Sequence, residues 1–216
     1  MRYGIELVPE PSFAARAYRA RQLICGQYGS WAAEMLMVHL TVADFFQCPD
    51  SAVGAVATGL ARIAAQSHTV APRFNLSHQG VATFPNMIGT IFLDFTHPNG
   101  YLGARSPSSG PPIYTLHHNV IDLLQNTPGV VPGLRFAGSN YWPHLTLMLY
   151  ANLAPTVFED AVQFARAVVV DLLVPATTQA WRLMLVRFES NAAGDDWDNG
   201  RWAADLRWSL LSSHPL

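Results

Sequence analysis

Lysine is absent from this chain of 216 residues, and arginine supplies all thirteen basic side chains. The missing lysine excludes mechanisms that use a lysine nucleophile or the lysine of a Walker-type phosphate loop. Charged residues make up only 13% of the chain, the net charge is −2, and no run of basic residues occurs. A long nucleic acid is normally held by a basic stripe, so the composition disfavours such a partner and leaves a nucleotide-sized ligand compatible.

Cysteines and long apolar runs are also scarce. We expect the two cysteines, Cys25 and Cys48, to be reduced thiols of a cytoplasmic protein. The longest apolar stretch, Val168 to Val174, is interrupted by Asp171 and is too short to span a bilayer. The N-terminus has no long apolar segment of the kind found in secretory signals. The sequence therefore predicts a cytoplasmic protein without membrane contact, whose 50% apolar residues bury a large core.

Two copies of the pattern His-x-Thr-x stand 105 residues apart, one in each half of the chain. They are Val38-His39-Leu40-Thr41-Val42 and Pro143-His144-Leu145-Thr146-Leu147, and both lie in apolar runs typical of strands. Alternate side chains of a strand point to the same face, so each histidine projects together with its threonine. If the two strands lie side by side, two imidazoles and two hydroxyls line one cleft.

The order of predicted elements repeats around the two motifs. Each motif strand follows a strand and a helix, and each is followed by a turn, a helix and a further strand. The helices that follow, from Ala52 and from Thr156, keep nearly the same offset as the motifs. An internal duplication explains this pattern. We predict an α+β fold with two antiparallel-rich sheets around a central cleft and helices outside, in which residues 1–216 form a single domain of two pseudo-symmetric lobes.

Element boundaries follow from hydrophobic periodicity and from glycine and proline positions. The predicted strands cover Arg2–Val8, Met35–Phe46, Phe74–Phe84 (with a bend near Gly80), Ile88–Thr96, Tyr141–Tyr150, Ala180–Phe188 and Trp202–Leu211. The predicted helices cover Phe13–Tyr28, Ala52–Ser67, Ile113–Asn126 and Pro155–Val170. A loop over His97–Pro112 is the predicted junction between the halves and a candidate lid. Ala193–Gly200 is predicted to be an acidic loop, in which Asp195–Asp198 forms a solvated turn.

Aromatic residues flank the second motif. Trp142, Met148 and Tyr150 are predicted to share the strand face of His144 and Thr146. The aromatic side chains on this face would stack a base or close the cleft, and simple core packing is the equal alternative. We therefore take Trp142 and Tyr150 as candidate substrate contacts.

Other short patterns do not predict a metal or hydrolase site. His117 and His118 are neighbours on a predicted helix, where they diverge by about 100° and cannot face one ion. We expect them on the helix surface. The acidic segment Asp195–Asp198 lacks the spacing of a calcium loop, and no Gly-x-Ser-x-Gly occurs. The sequence therefore gives no reason to expect a metal or another cofactor.

The two motifs, with the order of elements over nearly the whole chain, resemble the 2H phosphoesterase superfamily, which is named for two His-x-Thr/Ser-x motifs. Residues 143–150 are similar to the pattern Pro-His-x-Ser/Thr-Leu-x-Tyr of its cyclic phosphodiesterase branch, with one extra residue before Tyr150. The neighbouring branch, LigT-like RNA cyclic phosphodiesterases and 2′-5′ RNA ligases, usually carries an arginine shortly after the second motif, where this chain has Leu149. Many relatives have proline before the first histidine, where this chain has Val38.

The resemblance implies a bilobal 2H phosphoesterase fold in which His39 and His144 are catalytic and Thr41 and Thr146 bind phosphate. It implies a metal-independent phosphodiesterase, a hydrolase without cofactor. The two histidines would act as general acid and base to open nucleoside 2′,3′-cyclic phosphates or ADP-ribose 1″,2″-cyclic phosphate. We expect a monomer.

Two alternatives stay open. One is an RNA 2′,3′-cyclic phosphodiesterase or 2′-5′ RNA ligase-like enzyme that acts on RNA termini. Its basic patch would form only in the fold, from Arg73, Arg135, Arg187 and Arg207. The other is a nucleotide-binding module without turnover.

Overall fold

The structure is a computed structural model that describes residues 1–85, 87–97, 111–197 and 200–216. Within these residues the chain forms eight strands, four helices and four short 3₁₀ turns. The strands are β1 (Arg2–Pro9), β2 (Leu40–Phe46), β3 (Asn75–Ser77), β4 (Val81–Ala82), β5 (Ile91–Asp94), β6 (His144–Met148), β7 (Thr177–Glu189) and β8 (Arg207–Pro215). The helices are α1 (Pro11–Tyr28), α2 (Asp50–Val70), α3 (Pro112–Gln125) and α4 (Pro155–Asp171). Most of the predicted junction and lid loop, residues 98–110, lies outside the described residues.

Two antiparallel sheets form the framework. In the larger sheet β2, β1 and β7 lie side by side, and β3 and β8 pair with different parts of the long strand β7. The smaller sheet has the order β4-β5-β6. The two motif strands, β2 and β6, each lie at the edge of a sheet and contact each other. The two sheets therefore meet along β2, which His39 immediately precedes, and β6, which begins at His144.

The predicted internal repeat is visible in the succession of elements. A 3₁₀ turn precedes each motif strand, Ala33–Met35 before β2 and Gly138–Asn140 before β6. A helix follows each motif strand, beginning at Asp50 in the first half and at Pro155 in the second. The offset of 105 residues between the histidines is thus kept by the elements on both sides. The predicted α+β class with two antiparallel sheets and an internal duplication is confirmed.

One apolar core joins both sheets to the helices. Leu7 of β1, Leu40 of β2 and Leu145 of β6 are fully buried in it, together with Ile24 of α1 and Leu124 of α3. Full burial of one such side chain stabilises the fold by about 1.5–3 kcal/mol. Helix α1 packs against β6 and α4, and α3 packs against β2. The helices thereby hold the two edge strands from behind.

Several predicted boundaries were wrong because apolar composition continues beyond the residues that pair. Strand β2 begins at Leu40 rather than Met35, since a 3₁₀ turn occupies part of the apolar stretch. The stretch Phe74–Phe84 forms two short strands in different sheets, and Gly80 turns the chain between them with a φ of 105°. The predicted last strand was shifted, because Arg201–Ala204 is a 3₁₀ turn and β8 begins only at Arg207.

Two sequence expectations concern the membrane and the thiols. No helix in the described part of the chain is long and apolar enough to cross a membrane. Cys25 and Cys48 are buried free thiols, as predicted.

Candidate active site

A cleft of about 500 Å³ lies between the edge strands β2 and β6. The four motif side chains, His39, Thr41, His144 and Thr146, all line it. The motif strands bring them together from positions 105 residues apart, because β2 and β6 face the same cleft at the meeting line of the two sheets.

Both histidines are held by the backbone in the same way. Nδ1 of His39 lies 2.8 Å from the carbonyl oxygen of Met37, and Nδ1 of His144 lies 2.7 Å from that of Trp142. A carbonyl oxygen only accepts hydrogen bonds, so Nδ1 carries a proton in both rings. The lone pair of each neutral imidazole is therefore on Nε2. This is the nitrogen that gains or loses a proton in each ring.

The first motif has a neighbour that the sequence reasoning missed. Nε2 of His39 lies 3.2 Å from Oγ1 of Thr41 and 3.3 Å from Oε2 of Glu6. Glu6 stands opposite Thr41 in the pairing of β1 with β2, so both side chains share the cleft face. Glu6 is only 3% exposed. The available signal was a single carboxyl group between Ile5 and Leu7 in an otherwise apolar strand.

Burial sets the protonation of these groups. It lowers the pKa of His39 to about 4 and also lowers the pKa of His144, because a buried imidazolium loses its hydration. Burial raises the pKa of Glu6 well above its usual value, and the nearby Asp44 carboxylate raises it further. Burial therefore favours the neutral form of each of these three groups, taken alone.

Arg21 of α1 lies behind the cleft and links the two motifs. Its Nε and Nη2 donate to the carbonyl oxygen of Thr146, and its Nη1 donates to those of Leu36 and Met37. The Met37 carbonyl is the one that also accepts from His39. Arg21 is 1% exposed. One buried guanidinium thus fixes main-chain groups of both motif segments.

His117 supports the first motif from the opposite side. Its Nδ1 lies 2.7 Å from the carbonyl oxygen of Val42, and its ring stacks on Tyr141 at a centroid distance of 3.8 Å. The Tyr141 hydroxyl donates to the carbonyl oxygen of Thr41. The prediction of a surface pair was wrong for His117, which is 2% exposed, whereas the side chain of His118 is 42% exposed.

Aromatic rings form one wall beside His144. The ring of Phe84 meets that of His144 edge-on at 5.1 Å and that of Trp142 at 5.5 Å. The Trp142 indole N–H donates to Oδ1 of Asp94, which fixes the ring at the cleft. Trp142 lines the cleft beside the second motif.

A second aromatic wall lies beyond the first motif. Phe45 packs edge-on against Phe188, Trp197 and Trp202 at 5.1–5.6 Å. Trp197 and Trp202 are almost fully buried. In the predicted acidic loop Ala193–Gly200, residues 194–197 form a 3₁₀ turn, and Trp197 packs into the interior and lines the cleft rather than facing solvent; residues 198 and 199 lie outside the described residues.

The predicted common face of the second motif strand ends at Thr146. A register shift between β5 and β6 interrupts the alternation, and Met148 is completely buried rather than facing the cleft. Strand β6 ends at Met148, and Tyr150, two residues later, has a φ of 51°. Tyr150 still lines the cleft, where its ring packs on Trp202 at 5.9 Å.

Polar groups other than the motifs are few in this cleft. Arg135 is the single arginine among the described residues that line it. Arg187 instead pairs with Glu189, and Arg73 lies over the ring of Trp181.

The buried hydroxyl of Thr90 has no hydrogen-bond partner within the described residues, and Thr90 lines the cleft. In the same residues no group of three or more His, Cys, Asp or Glu is placed to hold a metal ion.

Comparison with known proteins adds the family. Among solved structures, E. coli LigT complexed with 3′-AMP is similar, with a TM-score of 0.59 and 15% identity over 100% of this chain and 97% of that chain. TT0787 of Thermus thermophilus has a TM-score of 0.58 and 16% identity, over 100% of this chain and 98% of that chain. These identities show the fold alone, and no curated protein matches the chain in sequence. A model of the 2′-5′ RNA ligase superfamily matches residues 9–192, so the chain belongs to this superfamily of 2H phosphoesterases.

Proposed function

We propose that this protein is a metal-independent phosphodiesterase that opens the cyclic phosphate of a small nucleotide. The substrate is a nucleoside 2′,3′-cyclic phosphate or ADP-ribose 1″,2″-cyclic phosphate. The observation that carries the proposal is the matched placement of His39 and His144 in one cleft. The backbone holds Nδ1 of each ring, so Nε2 is left for proton transfer.

Ring opening requires water to attack phosphorus in line with the leaving oxygen. One neutral imidazole accepts the water proton, and one imidazolium donates a proton to the leaving oxygen. His39 and His144 reach the cleft from different sheets, which suits two groups that act on opposite sides of one phosphorus atom. No metal is needed for either proton transfer.

The threonines complete the proposed phosphate site. Hydroxyls that donate to the non-bridging oxygens stabilise the charge that develops in the transition state. Thr41 and Thr146 line the cleft beside the two imidazoles, and Arg135 brings a positive charge to the same cleft. We propose Trp142 and Tyr150 as contacts for the base or ribose, since both residues line the cleft and flank the second motif in the chain.

The size and the lining of the cleft favour a small substrate. About 500 Å³ accommodates a ligand of nucleotide size, and the described lining is rich in aromatic rings with a single arginine. The second candidate is an enzyme that acts on the termini of RNA, which the family name and the cleft position of Arg135 favour. A nucleotide-binding module without turnover is the third.

The test measures hydrolysis of 2′,3′-cyclic AMP, ADP-ribose 1″,2″-cyclic phosphate and an RNA oligonucleotide with a 2′,3′-cyclic end, each with EDTA present. We expect turnover of a small cyclic phosphate, and a loss of roughly 10²- to 10⁴-fold in His39→Ala and in His144→Ala. His118→Ala, which alters a histidine away from the cleft, is the matched control. Near-normal rates in both cleft variants would contradict the assignment. Turnover of the oligonucleotide alone would support the RNA-processing candidate, and tight binding without hydrolysis would support the module.

We further propose that residues 1–216 form one domain of two lobes that acts as a monomer in the cytoplasm. A single buried apolar cluster runs through both sheets, which supports one domain. The two free thiols are compatible with a reducing compartment. Sedimentation at micromolar concentration tests the monomer, and a dimer mass would contradict it.

A further inference from the structure

Glu6 places a buried carboxyl group against Nε2 of His39, the nitrogen that transfers a proton in the proposed reaction. Its Oε2 is buried and has no conventional hydrogen-bond partner within the described residues, yet it lies 3.3 Å from Nε2 of His39. Gly4 leaves space for this carboxyl group and for the ring of Phe188, because a Cβ at Gly4 would lie 2.5 Å from Oε1 of Glu6 and 2.9 Å from Cε2 of Phe188. The strand is therefore shaped to admit the carboxyl group at this point.

The proton balance of this pair follows from the hydrogen bonds. Nδ1–H of His39 is committed to the Met37 carbonyl, so a proton between Glu6 and His39 sits on Oε2 or on Nε2. Two protons would leave a buried net positive charge, and no proton would leave a buried unpaired carboxylate, which is costly. One proton leaves the pair neutral overall, either as a carboxylic acid beside imidazole or as a carboxylate beside imidazolium.

We propose that Glu6 is a positioning residue that holds one proton in common with His39, between Oε2 and Nε2. Through this shared proton Glu6 makes His39 the imidazolium that protonates the leaving oxygen, and His144 the base. The inference rests on the proposed function.

The proposed cycle is balanced in protons. When an anionic phosphodiester enters, the proton moves from Oε2 of Glu6 to Nε2 of His39 and then to the leaving oxygen. The attacking water gives its own proton to Nε2 of His144. Glu6 is then a carboxylate and His144 an imidazolium, and the resting state returns when solvent carries the proton from His144 to the Glu6–His39 pair.

The remaining charged groups around the pair do not replace Glu6. Asp44 on β2 and Tyr141 before β6 lie near Glu6, while Arg21 on α1 and His144 on β6 disfavour a positive charge on His39. The carboxyl group of Asp94 on β5 favours a positive charge on the second histidine, His144, and it also accepts hydrogen bonds of its own. Its Oδ1 accepts from the Trp142 indole and from the Thr96 amide.

The decisive experiment is an NMR titration of the His39 ring in protein labelled at histidine. The resonance is identified by its absence in His39→Gln. A shared proton gives two titration steps at His39 in the natural sequence, and Glu6→Gln should reduce them to one. Asp44→Asn, which removes a neighbouring carboxyl group without touching Nε2, should retain two steps. The same single step in the natural protein and in Glu6→Gln would overturn the proposal.

The pH dependence of kcat/KM gives an independent readout. Loss of the carboxyl group lets His39 lose its proton at lower pH, so the alkaline limb of Glu6→Gln should move to lower pH while the acid limb stays. For each pH unit by which the limb moves, the rate at a fixed alkaline pH falls about tenfold. Gly4→Ala, which displaces the carboxyl group but keeps its charge, should move the limb in the same direction and serves if Glu6→Gln does not fold. An unmoved alkaline limb in a folded variant would overturn the proposal. If His39 titrates in two steps but the protein hydrolyses none of the substrates, the proposed function is refuted, while the shared proton is still supported.

Discussion

The guanidinium group of Arg21 donates two hydrogen bonds to the main-chain carbonyl of Thr146, at 3.1 and 2.9 Å. The same group reaches the carbonyls of Leu36 and Met37 at the entrance to the first motif. A single side chain of α1 therefore sets the distance between the main chains of the two motif segments. This geometry makes Arg21 a structural link between the halves of the proposed active site.

We expect Arg21→Lys to destabilise the protein by roughly 3 kcal/mol. An ammonium group cannot reproduce the planar set of donors, and a buried carbonyl left unpaired costs about 1–3 kcal/mol. Urea unfolding measures the change. Arg19→Lys, at an exposed position of the same helix, is the control and should change the free energy of unfolding little. Equal effects of the two substitutions would rule out the linking role.

The proposed phosphate contacts predict a loss of ligand affinity. Thr41→Ala and Thr146→Ala should each weaken binding of 2′-AMP by roughly 10- to 100-fold, since one hydrogen bond to a charged group contributes about 1.5–3 kcal/mol. Isothermal titration calorimetry measures this change. Thr156→Ala, at the exposed start of α4, is the matched control. Unchanged affinity in both cleft variants would show that these hydroxyls do not bind phosphate.

Three histidines outside the Glu6 pair, of which His117 is buried and His78 and His144 are partly buried, predict acid sensitivity of the fold. Burial lowers the pKa of His78, His117 and His144 in the folded protein below the value of 6.5 for a free side chain. As the pH falls below 6.5 the unfolded chain takes up protons that the folded chain does not, so stability decreases. Each group contributes at most about 1.4 kcal/mol per pH unit.

Urea unfolding between about pH 7 and pH 5 tests this expectation. The free energy of unfolding should fall with pH, and His117→Gln should show a shallower dependence than the natural protein. His118→Gln, at a neighbouring position with a solvent-accessible side chain, removes only a minor contribution to the lowered pKa of His117 and should change the dependence far less. A pH-independent stability over this range would contradict the argument.

Tyr150 offers a test of the substrate contact without altering the ring itself. A Cβ at Gly200 would overlap the Tyr150 ring, so Gly200→Ala should displace it and raise KM by roughly fivefold or more, given that stacking is worth about 1–3 kcal/mol. Gly194→Ala introduces similar backbone strain with no atom within 4 Å of the new Cβ. We expect KM to rise only in Gly200→Ala, as measured in steady-state kinetics. A similar KM in both variants would exclude Tyr150 as a substrate contact.

The sequence predicted the fold well because repeated periodicity is a long-range signal. Two His-x-Thr-x stretches with the same succession of elements around them indicated two sheets that meet along matching strands. The ends of strands were harder to predict, because apolar residues such as Met35 and Met148 occur in turns and in the buried core as well as on the exposed faces of paired strands. The register shift that interrupts the alternation before Met148 depends on β5, which no local pattern near residue 148 encodes.

The missed residues near the cleft share a different cause. Glu6, Arg21 and His117 act through partners that lie far away in the chain, at Thr41, Thr146 and Val42 among others. A polar side chain in a strand or helix is expected at the surface until the packing of the elements is known. Burial places Glu6, Arg21 and His117 against groups of the two motif segments, and residue type alone does not predict that burial.

The meeting line between β2 and β6 has a practical use. A nucleotide seated there would touch both sheets, so its binding energy would be added to the free energy that keeps the sheets together. A ligand at about one hundred times its dissociation constant raises stability by about 2.7 kcal/mol. Melting curves recorded across a library of nucleotides would therefore rank candidate ligands before any assay of turnover exists.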